Sequence, residues 1–232
     1  MPIVPYISSL LDFNFRATAW LFSDMNAAGD WSNYATGGTN SFIVAALNTD
    51  GNRVGILDSG TSTSATAHAG IGSATADSVV LGTREHRLQV IAKIPTLSTA
   101  LQAFTVTIGF HDTRTAALPT DGVYFQYIHS AASGNWTAMS YSNAGSLTSA
   151  TDTGVAADTN FHTFEIVINA DASKAQYFID GVLRATRSTA TDAIPNGSAR
   201  ATAVSVTILK SVGTTARSLY TDLVSLEIAV QR

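Results

Sequence analysis

The chain has 232 residues, of which 45% are hydrophobic and only 13% charged, with a net charge of −4 and no cysteine. That hydrophobic share excludes a disordered chain, and the length is enough for one large core. The lack of cysteine excludes disulfides and thiolate metal sites, and lysine confined to Lys93, Lys174 and Lys210 among dispersed arginines excludes a basic stripe for nucleic acid.

Met1 to Phe15 carries Pro2, Pro5, Tyr6, Leu10, Leu11, Phe13 and Phe15. Two early prolines disfavour a helix. The segment reads either as an edge strand tucked onto a sandwich or as an arm docking on a neighbouring subunit. It lacks the positive start, apolar run and cleavage site of a secretory signal. Residues 16–232 read as one domain. Trp31 lies in a polar loop between Asp30 and Ser32. With Tyr34 nearby, and Pro5 and Tyr6 of the arm, it makes up the candidate contact surface.

Phe42 to Leu47 and Arg53 to Leu57 flank Asn48-Thr49-Asp50-Gly51, a hairpin signal. Ser59 to Thr75, rich in Ser, Thr, Ala and Gly, reads as a long surface loop or extended arm. His86 to Ile91 is a strand, and Pro95 to Gln102 a short helix or a loop. Phe104, Val106, Ile108 and Phe110 share one face of a strand. Tyr124, Gln126 and Ile128 alternate with Val123, Phe125 and Tyr127, so that strand is expected to be central and covered on both sides. Trp136 to Tyr141 follows. Phe164, Ile166 and Ile168 begin a three-strand meander that turns at Asn169–Lys174 and again at Asp180-Gly181. Val204, Val206 and Ile208, then Val224, Leu226, Ile228 and Val230, close the series. No helical pattern alternates with these strands, so an antiparallel sandwich is expected. No apolar run reaches the roughly 20 residues of a membrane helix. Asn135-Trp136-Thr137 and Asn196-Gly197-Ser198 match the glycosylation sequon and read as chance occurrences.

Several segments then fall into a familiar series. They are Gly122 to Tyr127, Gly134-Asn135-Trp136, Thr151 to Ala156 before Phe161 to Ile166, Tyr177 to Leu183, and Ile208 to Leu219. In this order they resemble the concanavalin A-like (laminin G/glucanase-type) domains of tailed-phage structural proteins, over about Gly122 to Ile228. Phe161 stands where that family usually has Trp. The resemblance implies an all-β, antiparallel two-sheet jelly roll on a virion component, and a fold related to lectins and glucanases.

Retaining glucanases of this fold carry a Glu-x-Asp-x-x-Glu run that sets two carboxyls about 5 Å apart. Here glutamate occurs only as Glu85, Glu165 and Glu227, none in such a run. The chain is therefore expected not to be an enzyme. His68, His86, His111, His129 and His162 form no HxH or HExxH pair. His111-Asp112, ending an apolar strand, is the one pair placed for a metal or sugar contact. No cofactor is expected. Calcium, which wants several oxygen ligands, would look to Asp112, Asp121, Asp152 and Asp158, all also explained as turn residues. Trp20, Trp31 and Trp136 are sugar-stacking candidates or core; Trp136 reads as core. Asp222 reads as a structural hydrogen-bonding residue.

These readings lead to a non-enzymatic virion structural protein, capsid decoration first, assembled as a homo-oligomer with a trimer as the working guess. The alternative is a carbohydrate-binding or receptor-binding module of a tail, collar or fibre. Expected partners are other virion proteins or a glycan, with no nucleic acid and no membrane.

Overall fold

A computed structural model describes residues 17–23, 32–44, 53, 55–73, 78–113, 119–143, 147–189 and 193–230. The period-two pattern of the sequence becomes fifteen strands among them. In chain order these are β1 (Ala17–Ser23), β2 (Ser32–Thr36), β3 (Gly38–Val44), β4 (Gly55–Thr61), β5 (His68–Gly72), β6 (His86–Lys93), β7 (Phe104–His111) and β8 (Gly122–Ile128). They continue as β9 (Asn135–Ser142), β10 (Leu147–Ala156), β11 (His162–Ile168), β12 (Lys174–Ile179), β13 (Val182–Ser188), β14 (Ala203–Lys210) and β15 (Ser218–Val230). The arm proposed for residues 1–15 lies outside the described residues.

Two antiparallel sheets stack face to face. One has eight strands in the order β13-β12-β11-β6-β15-β4-β3, with β1 also paired to β15. The other has seven, β10-β9-β8-β7-β14-β5-β2. This is the expected two-sheet jelly roll.

Register brings apolar residues into rows on the inner faces. Ile179, Phe164, Val90 and Val224 align across the first sheet. Ala138, Phe125, Ile108, Val206 and Ile71 align across the second. All are buried. The rows interlock through aromatic rings: Phe125 lies 5.3 Å from both Phe164 and Tyr177, and Trp136 lies 4.5 Å from Phe164. Tilted and edge-on geometries of this kind add to the area term. Two polar groups inside the sandwich find carbonyls: the Tyr177 hydroxyl donates to Met139 O at 2.6 Å and Arg187 Nη2 to Ala138 O at 2.9 Å. Trp136 is thus core, as read from the sequence.

The Asp180-Gly181 turn has positive φ at both residues, 53° and 76°, the primed geometry that suits a tight hairpin. Residues 95–102 form no helix. Ser59 to Thr75 departs from expectation. Instead of a surface loop it supplies the end of β4 and the whole of β5, whose five residues are all buried between β14 and β2. Its small residues look like a loop in one dimension, yet strand preference is mostly a matter of fit to neighbours. Gly70 and Gly72 fit there because a Cβ would fall 2.5 Å from Val206 O or 2.6 Å from Val204 O.

On the outer face of the larger sheet, Phe161 lies against two cations. The Arg53 guanidinium sits 3.8 Å and Lys93 Nζ 4.7 Å from its ring centre. Arg53 also pairs with Asp222, the structural role expected of that aspartate.

Candidate functional site

Strand alternation that sends Phe104, Val106, Ile108 and Phe110 inward sends Thr105, Thr107, Gly109 and His111 to the outer face of the seven-stranded sheet. There, register lines up Asp152, Thr137, Gln126, Thr107, Thr207, Gly70 and Tyr34 in one row from β10 to β2. Six inter-strand spacings of about 4.8 Å give this row a length of roughly 29 Å. Beside it runs a second row, Met139, Tyr124, Gly109, Ser205 and Gly72.

An outer sheet face is ordinarily wet. Here much of the row is sheltered: Gln126 is 7% and Thr107 4% exposed, Thr207 and Tyr34 are half-buried, and only Asp152 at one end is exposed. This sheltered stretch of the outer face is the candidate recess. Its polar atoms bond to one another. Thr107 Oγ1 lies 2.6 Å from Thr207 Oγ1 and 3.2 Å from His111 Nε2. A hydroxyl has one proton to give and two lone pairs. Thr107 therefore links the imidazole to Thr207 in one relay, and the relay's direction follows the His111 tautomer. Gly109 makes this possible, since the His111 side chain must fold back past it to reach Thr107. A Cβ on Gly109 would also stand 2.5 Å from Tyr124 Cα. Glycine inside a strand marks such close approach.

Two side chains point into the recess without a partner inside the protein. Ser205 Oγ is buried, with the residue 0% exposed and flanked by Gly109 and Gly72 on the adjoining strands. His68 Nδ1 is buried two rows away, and burial pushes its pKa below the ordinary imidazole value. Buried polar atoms are nearly always bonded, and these two share that unpaired state with others in the protein, Trp136 Nε1 and Ser140 Oγ among them. Tyr124 packs edge-on against His111 at 5.7 Å. Burial foremost, and then Asp112 and Tyr141, push its phenol pKa upward, so it remains a neutral donor.

Of the residues picked from sequence as contacts, only Tyr34 is described. It closes one end of the recess, with its hydroxyl donating to Ile71 O at 2.9 Å. Pro5, Tyr6 and Trp31 lie outside the described residues, as does the side chain of Trp20. His111 sits where its strand position placed it, and Asp112 beside it is turned to structure. Asp112 accepts from the amide and hydroxyl of Thr120 and from Thr113, and these bonds outweigh burial and lower its pKa. The other calcium candidates also serve turns: Asp121 holds the Asn143 amide and Arg200, Asp152 the Asn135 side chain, and Asp158 the turn at Asn160. No group of three or more His, Asp or Glu is gathered for a metal among the described residues. Glu165 pairs with Arg87 at 2.8 Å on the far sheet. Ser205, Thr207, Thr107 and Gln126 escaped the sequence reading because register, not spacing, unites them; the interior Gly109 was the available signal.

A family model described as "SO2946-like, C-terminal domain" matches residues 52–222. No curated protein matches the chain by sequence. Among solved structures, a protein of unknown function, SO2946 from Shewanella oneidensis MR-1, aligns over 92% of this chain and 87% of its own, at 14% identity and a TM-score of 0.66. An endo-1,3-beta-glucanase from Streptomyces sioyaensis aligns over 90% and 96%, at 11% identity and 0.60. The Emp47p carbohydrate recognition domain aligns over 91% and 95%, at 11% identity and 0.57. At such identities the likeness shows the fold. Other similar structures are a glycosyl hydrolase family protein, a beta-glucanase, an alginate lyase and a phage carbohydrate esterase.

These neighbours correct the expectation that the chain is not an enzyme, since most of them are hydrolases, lyases or esterases. The expectation rested on a single chemistry, retaining hydrolysis by paired carboxylates. A missing Glu-x-Asp-x-x-Glu run says nothing of the other reactions this fold supports.

Proposed function

The chain belongs to the SO2946-like C-terminal domain family, and from that premise we propose that it recognises glycans in the recess on the outer face of its seven-stranded sheet. The carrying observation is the row from Asp152 to Tyr34, in which every strand of that sheet except β5, represented by Gly70, contributes a polar side chain. Sugar hydroxyls both donate and accept, and Thr, Ser, Gln and Tyr answer them in kind. A lectin domain and glycan-degrading enzymes among the structural neighbours support the same reading. Glycan recognition thereby takes precedence over capsid decoration.

We propose as its setting a phage virion, as a receptor-binding module of a tail, collar or fibre, a reading supported by the motif series. Mass spectrometry of purified virions tests that setting. The recess itself is tested by screening the protein on a glycan array and then titrating the best ligand calorimetrically. Gln126→Leu and Thr207→Val, which keep shape and remove hydrogen-bonding atoms, should each weaken binding by about tenfold, the worth of one to two hydrogen bonds. Unchanged affinity in both variants, with circular dichroism intact, would sink the assignment. Assaying the same mixtures for new chain ends reports whether the bound glycan is also cut.

A further inference from the structure

We infer that the glycan held in this recess is uncharged, an inference that rests on the glycan-recognition reading above. The argument is one of charge. Among the residues of β2, β5, β7, β8, β9, β10 and β14, the only Lys or Arg is Lys210. It stands on the core side of β14, opposite Phe104, and its ammonium donates to Ser62 O at 2.9 Å. No described cation therefore projects from these strands into the recess.

What these strands present is negative or neutral, and Arg200, just before β14, is paired with Asp121 at 3.3 Å. Asp152 stands exposed at one end of the ladder, and Asp112 follows the end of β7. His68 is held toward its neutral form by burial. The partnerless Ser205 hydroxyl and the Thr107–Thr207 pair offer hydrogen bonds without charge. A uronate or sialate carboxylate lowered onto this floor would lose its water and meet no guanidinium or ammonium from the described residues of these strands, and an unpaired buried charge is strongly disfavoured. Carboxylate recognition ordinarily enlists the bidentate Arg fork, which the described residues of these strands lack. The molecule's net charge of −4 adds a weak repulsion at long range. A neutral sugar meets none of these costs.

The test titrates the full chain with neutral hexose oligomers (laminari-, cello- and malto-hexaose) and with anionic oligomers (alginate hexamer and sialyllactose) at low and physiological salt. At least one neutral oligomer should bind ten times or more tightly than every anionic one, with little salt dependence. Thr207→Lys, which places an ammonium in the ladder, should narrow that gap by raising the affinity for the alginate hexamer. Two results overturn the inference and are told apart. Anionic oligomers that bind best, with affinity lost in Gln126→Leu, leave glycan recognition standing and remove neutrality. No binding by any oligomer or array glycan removes both.

Discussion

His162 stands between two carboxylates. Its Nδ1 lies 2.7 Å from Asp180 Oδ2 and its Nε2 3.0 Å from Asp158 Oδ1, so one ring fastens the start of β11 to the β12–β13 turn and to the preceding loop. Burial alone would lower the imidazole pKa, but the two carboxylates outweigh it and raise the value above 6.5. A group whose pKa is higher when folded contributes stability that is complete below its unfolded value and fades as pH rises through the folded one. Asp158 runs the other way. Burial would raise its pKa, and the bonds from Asn160 and His162 bring it below 3.8, so its contribution is present above that value and fades as pH falls through the folded one. The Tm difference between wild type and His162→Gln should therefore be greatest between these limits and shrink toward neutral and alkaline pH. A difference that stays flat from pH 5 to 9 refutes the latch. Half of this arrangement was legible beforehand: Asp180-Gly181 announced its turn, because that dipeptide tolerates positive φ at both positions. The bridge to His162 was not, because nothing in a spacing of eighteen residues says which loop ends meet.

At the scale of the strand, alternation told which residues face the core, and it did so for β6, β7, β8, β11, β14 and β15. For β8 it also told that both faces would be covered, but it could not tell that the polar face of β7 would be sheltered as well. A polar outward residue reads the same whether it meets bulk water or a recess. β5 was missed altogether, because His-Ala-Gly-Ile-Gly has few of the branched or aromatic residues that advertise a strand, and small residues were what the site required. The β7–β8 pair carries a quantitative expectation. Gly109→Ala puts a methyl group 2.5 Å from Tyr124 Cα, where the neighbour is backbone and cannot step aside. Overpacking of this kind should cost about 1–3 kcal/mol and disturb the recess beside it. Urea unfolding of the variant that matches wild type would show the two strands to be less tightly apposed.

For the whole molecule, the sequence announced two sheets, since many short strands with turn residues between them and no helices leave little else. It did not announce which strands adjoin. β6 sits between β11 and β15, and β15 between β6 and the pair β4 and β1. Pairings over such separations depend on the packing of the entire core and leave no local trace. Whether the domain then assembles with copies of itself, as a virion component would, is read by light scattering of the purified chain.

The position of β15 has a temporal side. The ribosome delivers its residues, Ser218–Val230, after every other strand described, yet they fill the middle of the larger sheet. Until they emerge, β6 and β4 lack the neighbour they share, and Leu88 and Val90 have no strand beside them on that flank. Long-range closure of this kind is slow and leaves apolar edges open meanwhile. Nascent chains stalled before residue 218 should stay protease-sensitive, and chains stalled with β15 fully outside the exit tunnel should become resistant in a single step. Gradual protection growing with length would instead mean that the smaller sheet matures first and waits, a finished half-sandwich, for its counterpart.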